Sequence, residues 1–422
     1  MKRSFIFACT VMIVLLVAPF TLQAQQGGKI NFGNFSIIPG ITLQGVYDDN
    51  IYLGNGKSYP AAPQTTLAEK KEADFVSHVK PSLMLNYMIP ARGYVSLGYM
   101  GDFAFYKDNN RNNWANNQGN LVLNYNAPCG LIVGINDLLA FVEDPFGGAD
   151  QYQVGRATKR YYNDLKAKVG YMIMSNFRSF LYFNNYLQKY SNSTLDYSQD
   201  YTNTEFGIGA ETQFLPKTWG FLRYHYGTRA YNTNAPGQTG DFNSNSKWHR
   251  VNAGLAWDPG LGAKITGELN FGYQWLKYDN PFTSAARTTQ RKDENTFIAE
   301  TSIRYLPTET TSLALIISRV LRGTGSDTNE QFIDTAIGIS MRQKLLMKLD
   351  LNAGIIYSKN EYNIPVGNAR NDDNLLFSLG LDYNIQDWLS VGVGYSYNWK
   401  DSNVETFDYA VNQVMAQVKI VY

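Results

Sequence analysis

The chain has 422 residues, 37 of them Lys or Arg and 36 Asp or Glu, so its formal net charge is close to zero. This balance argues against a nucleic-acid partner, which would favour a basic protein. The mean hydropathy of −0.30 is too low for a helical membrane protein, but it is the value expected when only alternate residues meet lipid.

The N-terminus predicts a signal peptide over residues 1–24. Lys2 and Arg3 precede an apolar stretch from Phe5 to Leu22, and small and polar residues follow it. A retained membrane helix is the alternative, but the stretch is short for a span and contains Pro19. We therefore expect export from the cytoplasm.

The mature chain is predicted to begin with a short periplasmic segment, residues 25–39, which is too short to be the plug domain of a TonB-dependent transporter. Cys9 lies inside the signal peptide, ahead of the cleavage region, which argues against a lipid-modified cysteine. Only Cys129 then remains, so no internal disulfide is expected.

From residue 40 onward, apolar or aromatic side chains alternate with small or polar ones, as in the segment 388–400. Period two is typical of β-strands with one apolar and one polar face. The pattern predicts eighteen strands: 40–53, 72–89, 94–106, 116–126, 130–143, 157–173, 178–190, 201–214, 219–232, 247–258, 263–277, 292–305, 311–324, 331–343, 346–358, 372–384, 388–400 and 405–422.

The connections between these strands are alternately short and long. Turn residues mark most short ones, such as Pro90 to Gly93 and Pro216 to Thr218, whereas long ones such as 54–71 and 278–291 are rich in Asn, Asp, Gly and Ser. The sequence therefore predicts an all-β fold, an antiparallel up-and-down transmembrane β-barrel over residues 40–422. With about 18 strands, both termini are expected in the periplasm.

The last strand carries a separate signal. Val414, Val418, Ile420 and Tyr422 share one face, and the chain ends on the aromatic residue. A terminal aromatic residue with this alternation resembles the targeting signal that the barrel assembly machinery of the outer membrane recognises. The alternative is an ordinary closing strand.

If the more apolar face of each strand contacts lipid, many charged side chains point into the barrel. This direction is favoured because Lys or Arg facing the middle of the bilayer would cost about 2–4 kcal/mol. The two signs balance. The sequence shows no ring of one sign, which would have predicted ion selectivity. A neutral polar solute or a merely structural charge lattice is expected. The predicted lumen-lining residues are Asp102, Lys166, Lys168, Glu205, Glu211, Arg223, Arg250, Lys264, Glu268, Glu300, Arg304, Asp334, Arg342, Lys348, Asp350 and Asp382, with Asp164 and Lys419 on the same face.

Glycines recur on the predicted inner face, among them Gly207, Gly254, Gly380 and Gly392. Glycine weakens a strand, so its repeated use there needs a reason. A wider lumen and relief of crowding where strands coil are both consistent with the pattern. No strand has a distinctly less apolar lipid face.

No catalytic or metal constellation is recognisable. His78, His225 and His249 have no partner at a metal-like spacing, so we expect no enzyme activity, no metal and no cofactor. The segment 54–58 resembles only the tail of a phosphate-binding loop and lacks the first glycine of that motif. Acidic pairs at 48–49 and 372–373 could share divalent cations with lipopolysaccharide, or they are simply solvated loop ends.

The segment Gly45 to Tyr52, with its Tyr-Asp-Asp-Asn stretch, resembles the start of proteins of the putative β-barrel porin 2 family. The resemblance implies passive conduction of a saccharide through the bacterial outer membrane, and in some members the export of an exopolysaccharide delivered by a periplasmic export protein. It implies no catalytic residue. A non-conducting structural or surface-binding barrel is the alternative function, and an outer-membrane enzyme is a third.

Overall fold

The computed structural model describes residues 29–57, 71–144, 158–191, 200–232, 244–257, 263–282, 290–323, 331–362 and 369–422. The predicted signal peptide lies outside these residues, as do parts of the long connections.

The described residues form nineteen β-strands and two short 3-10 turns, Asn110–Asn112 and Glu405–Phe407. The strands are β1 (Ile30–Phe32), β2 (Phe35–Asp48), β3 (Asp74–Ile89), β4 (Gly93–Tyr106), β5 (Trp114–Asn126), β6 (Leu131–Asp144), β7 (Thr158–Met174), β8 (Phe177–Tyr190), β9 (Tyr201–Leu215), β10 (Thr218–Tyr231), β11 (Ser246–Trp257), β12 (Ile265–Tyr278), β13 (Glu294–Tyr305), β14 (Thr311–Gly323), β15 (Gln331–Leu346), β16 (Leu349–Tyr362), β17 (Asn371–Gln386), β18 (Leu389–Ser402) and β19 (Tyr409–Val421).

Strands β2 to β19 close into a barrel. Each pairs antiparallel with the next, and β19 pairs with β2 from Gln413 opposite Asp48 to Val421 opposite Gly40. The prediction of an eighteen-strand antiparallel barrel is confirmed. The short strand β1, which the sequence pattern did not predict, pairs with the start of β2.

The first barrel strand differs from its predicted range of 40–53. It begins at Phe35 and ends at Asp48, because the next residues form a turn held by side chains. The Asn50 backbone N–H donates to Asp48 Oδ1 at 2.8 Å, and the Asn50 carboxamide bonds both the N–H and the C=O of Gly54. Asn and Asp terminate strands by such local bonds, so alternation alone placed the boundary five residues too late.

The two faces of the wall differ as the period of two requires. Charged side chains meet on one face, as in the ion pair of Arg223 on β10 with Glu268 on β12, and this face is the concave inner side of the barrel. The opposite face is convex and apolar, and it carries exposed Leu222, Ile339 and Val393.

Exposed aromatic side chains border this convex apolar face at both ends. At the end with short connections, which we call the short-turn end, they include Tyr87, Tyr171, Phe214, Tyr305 and Tyr383. At the long-loop end they include Tyr47, Phe105, Phe141, Phe297 and Tyr357. Two aromatic girdles around an apolar band are typical of a transmembrane barrel.

The described residues contain no helix with the length and apolar character needed to cross a membrane.

Candidate functional site

The inner face of β8 to β12 carries a network of two acids and two arginines, Arg178, Glu211, Arg223 and Glu268, which we call the Arg223 network. Arg223 donates from Nη1 and Nη2 to the two oxygens of Glu268, both at 2.9 Å. Its Nη2 also lies 2.8 Å from Glu211, whose other oxygen accepts from Arg178 Nε at 2.8 Å. Two-point contacts of this kind fix the guanidinium in one orientation.

Aromatic rings pack against the two guanidinium groups of the Arg223 network. The guanidinium of Arg178 lies 3.9 Å from the centre of the Trp219 ring, and that of Arg223 lies 3.9 Å from the Phe221 ring. Cations over ring faces are stabilised electrostatically. The network is therefore held by the wall on one side and turned towards the lumen through Glu268, whose side chain is 38% exposed.

A second network surrounds Glu205 on β9, and we call it the Glu205 network. One carboxylate oxygen accepts from Arg250 Nη2 at 2.5 Å and from the Trp248 indole at 2.9 Å. The other accepts from the Asn184 amide at 2.8 Å and lies 3.2 Å from His225 Nδ1. A buried carboxylate needs such a set of donors.

Arg250 extends the Glu205 network across the wall, because its Nη1 donates to Glu300 on β13 at 2.9 Å. Glu300 is 42% exposed whereas Glu205 is 8% exposed in its side chain. The two networks thus share one design, in which a buried acid anchors an arginine that also holds a lumen-exposed acid.

Other predicted lumen-lining residues lie in smaller groups on the same face. Asp102 contacts His78 and Lys80, Asp164 contacts Lys166, Arg342 contacts Asp350, Asp334 contacts Arg322, and Asp382 accepts from Asn352 and Gln417. Arg304 donates to Ser312, and Lys168 Nζ lies 5.5 Å from the Phe180 ring centre. The inner wall is therefore a lattice of matched signs.

Lys264 and Lys348 fall outside the strands, in short connections. Lys348 Nζ donates to the backbone carbonyl of Ile385, so it lies at the short-turn end rather than along the wall. Lys419 lies on β19 opposite Ser390 and Thr42.

Several inner-wall residues in these contacts were not predicted from the sequence. Arg178 and Arg322 lie at strand ends, where uncertain boundaries hide the face on which a residue falls. The ion pair of Lys400 with Asp372 was not predicted either. Both side chains are fully buried at the long-loop end, where Arg370 and Ser402 also bond Asp372. The charge of these side chains was the sequence signal that could have identified them.

Four tyrosines on consecutive strands β7 to β10 form a row on the inner face near the long-loop end. We call Tyr162, Tyr186, Tyr201 and Tyr231 the tyrosine row. Successive ring centres are 6.0, 5.7 and 5.5 Å apart. The Arg229 guanidinium lies 4.7 Å from the Tyr201 ring centre.

The opposite inner wall, on β16 to β18, has small side chains. Gly354 lies opposite Ser378, Gly380 opposite Gly394, and Asp382 opposite Gly392. A Cβ on Gly380 would have only one backbone atom within 4 Å, at 3.7 Å. We call this part of the barrel the thin wall, because its short side chains extend little into the lumen. The wall of β7 to β11 carries Arg and aromatic side chains that extend further, and we call it the thick wall.

Both explanations for the inner glycines apply, at different positions. Gly380 opens space towards the lumen. By contrast, a Cβ on Gly207 would lie 2.5 Å from Nδ1 of His225, because the imidazole ring crosses the backbone there.

The acidic pairs near the long-loop end are engaged by protein partners. Asp49 accepts two hydrogen bonds from Asn412, and Asp48 accepts one from Gln413. No group of three or more His, Cys, Asp or Glu that could hold a metal ion occurs among the described residues. His225 lies on the inner face, and His249 contacts Tyr224 on the outer face near the long-loop end.

The family described as putative beta-barrel porin 2 matches residues 25–422, which confirms the resemblance carried by the Tyr-Asp-Asp-Asn stretch. No curated protein matches the chain.

Solved structures similar to this chain include the outer membrane protein OpdK from Pseudomonas aeruginosa, at 12% identity and a TM-score of 0.43, covering 92% of this chain and 98% of that one. A BenF-like porin from Pseudomonas fluorescens has 10% identity and a TM-score of 0.44, covering 92% and 99%. OccAB4 from Acinetobacter baumannii has 10% identity and a TM-score of 0.43, covering 94% and 99%.

Proposed function

We propose that saccharides are the solutes of this barrel, which belongs to the putative β-barrel porin 2 family and is a porin-like protein of the bacterial outer membrane. The observation that carries the proposal is the pairing of charges on the inner wall. Both networks pair arginine with glutamate, so the wall offers hydrogen-bonding groups without a ring of one sign. Such a wall favours neutral polar solutes over ions.

The tyrosine row supports the same solute class. Sugar rings present C–H faces that pack on aromatic rings, and hydroxyl groups that exchange hydrogen bonds with amides and charged groups. Tyr162, Tyr186 and Tyr201 are partly exposed, and Arg229 and Asn203 bond to each other beside them. Solute entering from the long-loop end would pass this row near the start of its path.

The thin wall of β16 to β18 supports a continuous path. Side chains there are short, so space along this wall is not filled by the networks on the opposite side. An eighteen-strand barrel is wide enough to enclose water when its inner side chains leave room.

Conductance in planar bilayers tests the proposal. Purified protein should produce discrete channels, and neutral oligosaccharides added to one side should block the current more strongly than polyethylene glycol of the same hydrodynamic size. Tyr186→Ser should remove the excess block and leave conductance unchanged. Absence of channels, or equal block by both polymers, would refute the proposal.

We further propose export of an exopolysaccharide, delivered by a periplasmic export protein, as the specialised role that the family resemblance implies. Deleting the gene should lower the secreted polymer while intracellular synthesis continues. Unchanged secretion would restrict the protein to uptake or exchange of smaller sugars.

A further inference from the structure

The wall of the barrel splits between β13 and β14 near the long-loop end. Pairing between the two strands stops at Ala299 opposite Arg319. Beyond this point residues 294–298 of β13 stay paired with β12, and residues 320–323 of β14 stay paired with β15. No ladder pair joins these two segments to each other, although the structure describes both. The end of β14 has therefore left the side of β13.

Leu321, on β14 beyond the split, has the parity of the outer face. The inner-face residue Asp334 lies opposite Val320, and successive residues of a strand point to opposite faces. If the wall continued regularly, Leu321 would lie opposite Phe297 and face outward. At ~4.8 Å per strand and ~3.3 Å per residue, it would then be about 14 Å from Leu276 on β12, whose side chain is on the other face.

Leu321 nevertheless packs against a buried cluster on the inner face, formed by Trp248, Leu276 and Tyr278. The Trp248 indole donates to Glu205 of the inner wall, and Leu276 lies opposite Trp248 on the neighbouring strand. An outward-parity side chain of β14 reaches this cluster only if the end of β14 lies on the lumen side of β13.

Two residues of β13 support this position. Thr296 is on the inner face, because it lies opposite Gln274, which in turn lies opposite Arg250. Thr296 and Ile298 are only 5% and 1% exposed, so protein covers them from the lumen side. Nη2 of Arg319, which shares the parity of Leu321, lies 3.4 Å from Thr296 Oγ1. The outer face of β14 therefore contacts the inner face of β13.

We call residues 320–323 and 331–334 the β14–β15 tip. Its inner-parity face carries Arg322, whose Nε donates to Asp334 Oδ2 at 2.6 Å. Because Leu321 packs on the wall, Arg322 points away from that wall. Arg322 lies close enough to Tyr201 of the tyrosine row to interact with it electrostatically. Strands β9 and β14 are five strands apart, about 24 Å along a regular wall at ~4.8 Å per strand, so the tip crosses part of the lumen.

We propose that the β14–β15 tip is a saccharide-binding site inside the lumen, an inference that rests on the function proposed above. Arg322 and Asp334 bind sugar hydroxyl groups there, and the sugar ring packs against the tyrosine row. A guanidinium donates and a carboxylate accepts, so the pair matches both hydrogen-bonding roles of a hydroxyl group. The pair has no net charge, which suits a neutral solute.

Cross-linking tests the position of the tip independently of conduction. In a Cys129→Ser background, Leu321→Cys is combined either with Leu276→Cys or with Phe297→Cys, the partner that a regular wall would give it. A short bifunctional thiol reagent should join the first pair and not the second, as read by mass spectrometry of the digested protein. Heat-modifiable gel migration verifies folding. Linking of the second pair, or no linking of the first in a folded barrel, would overturn the proposal.

Oligosaccharide block of single channels tests the contact with solute. Arg322→Gln should raise the concentration for half-maximal block about tenfold, the loss expected for one charge-assisted hydrogen bond. Lys359→Gln removes a positive charge from the outer face of β16 near the same end and should leave the block unchanged. Equal effects of the two variants, or no effect of Arg322→Gln, would overturn the site and leave the proposed function standing. A wild type that conducts without preferential oligosaccharide block would refute the proposed function as well, whatever the cross-links show.

Discussion

Asp49, at the end of the first barrel strand, accepts two hydrogen bonds from Asn412 on the last strand, at 2.7 Å from the backbone nitrogen and 2.8 Å from Nδ2. Next to it, Gln413 donates to Asp48, and Asn50 donates to the carbonyl of Ala410. The Tyr-Asp-Asp-Asn stretch therefore connects the first and last barrel strands by hydrogen bonds, at the position where the barrel closes. This explains structurally why a short polar stretch follows directly on the first strand.

Asp49→Ala should weaken this closure. The substitution removes a charged acceptor from two donors, and hydrogen bonds to charged groups contribute about 1.5–3 kcal/mol each, so we expect a loss of about 2 kcal/mol in the free energy of unfolding. Urea titration in detergent measures it, and hydrogen exchange should accelerate at the long-loop ends of β2 and β19. Asp401→Ala, an exposed acid at the end of β18, is the matched control and should change neither.

The two members of one ion pair should shift ion selectivity in opposite directions. Arg223→Gln removes a positive charge that both Glu211 and Glu268 contact, so the lumen should become more cation-selective. Glu268→Gln removes the lumen-exposed acid of the same pair, so the lumen should become more anion-selective. Reversal potentials across a potassium chloride gradient measure both. Shifts of the same sign would show that these residues do not line the conducting path.

The sequence alone predicted the strand count and the faces because period two is a local property of each strand. It did not predict the ion-pair partners. Arg178 and Glu211 are 33 positions apart, and only the register of neighbouring strands brings them together. The first strand was misplaced because the side-chain turn at Asn50 overrides an alternation that continues past it.

Glu205→Gln should destabilise the barrel more than Glu300→Gln. Glu205 is buried and accepts from Arg250, Asn184 and Trp248, so an amide in its place leaves charged Arg250 without its buried partner. Loss of one partner of a buried charged hydrogen bond costs about 1–3 kcal/mol. Glu300 is 42% exposed, so solvent compensates its loss. The midpoints of urea unfolding of the two variants test this order, and equal midpoints would contradict it.

Two glycine substitutions should separate the two uses of inner-face glycine. Gly207→Ala forces the His225 ring off the backbone and away from Glu205, and overpacking of this kind costs about 1–3 kcal/mol. Gly380→Ala would bring its Cβ to an ordinary contact distance of 3.7 Å from the Val393 carbonyl oxygen, so its stability should change by less than about 0.5 kcal/mol. Thermal unfolding of the two variants provides the comparison. Similar losses at both positions would mean that the thin wall is as crowded as the thick one.

Removing Tyr422 should reduce the amount of protein assembled in the outer membrane several-fold without a matching loss of stability in the assembled fraction. Its side chain is 59% exposed on the convex face with Val414, Val418 and Ile420, and its backbone N–H donates to Pro39 at 2.9 Å. The fold therefore depends on this residue through one backbone bond, and the exposed ring remains available to the assembly machinery. Tyr422→Phe keeps the terminal ring and should assemble normally, whereas Tyr422→Ser keeps the backbone bond and should fail like the deletion. If Tyr422→Ser assembled as well as the wild type, the last strand would act only as a closing strand.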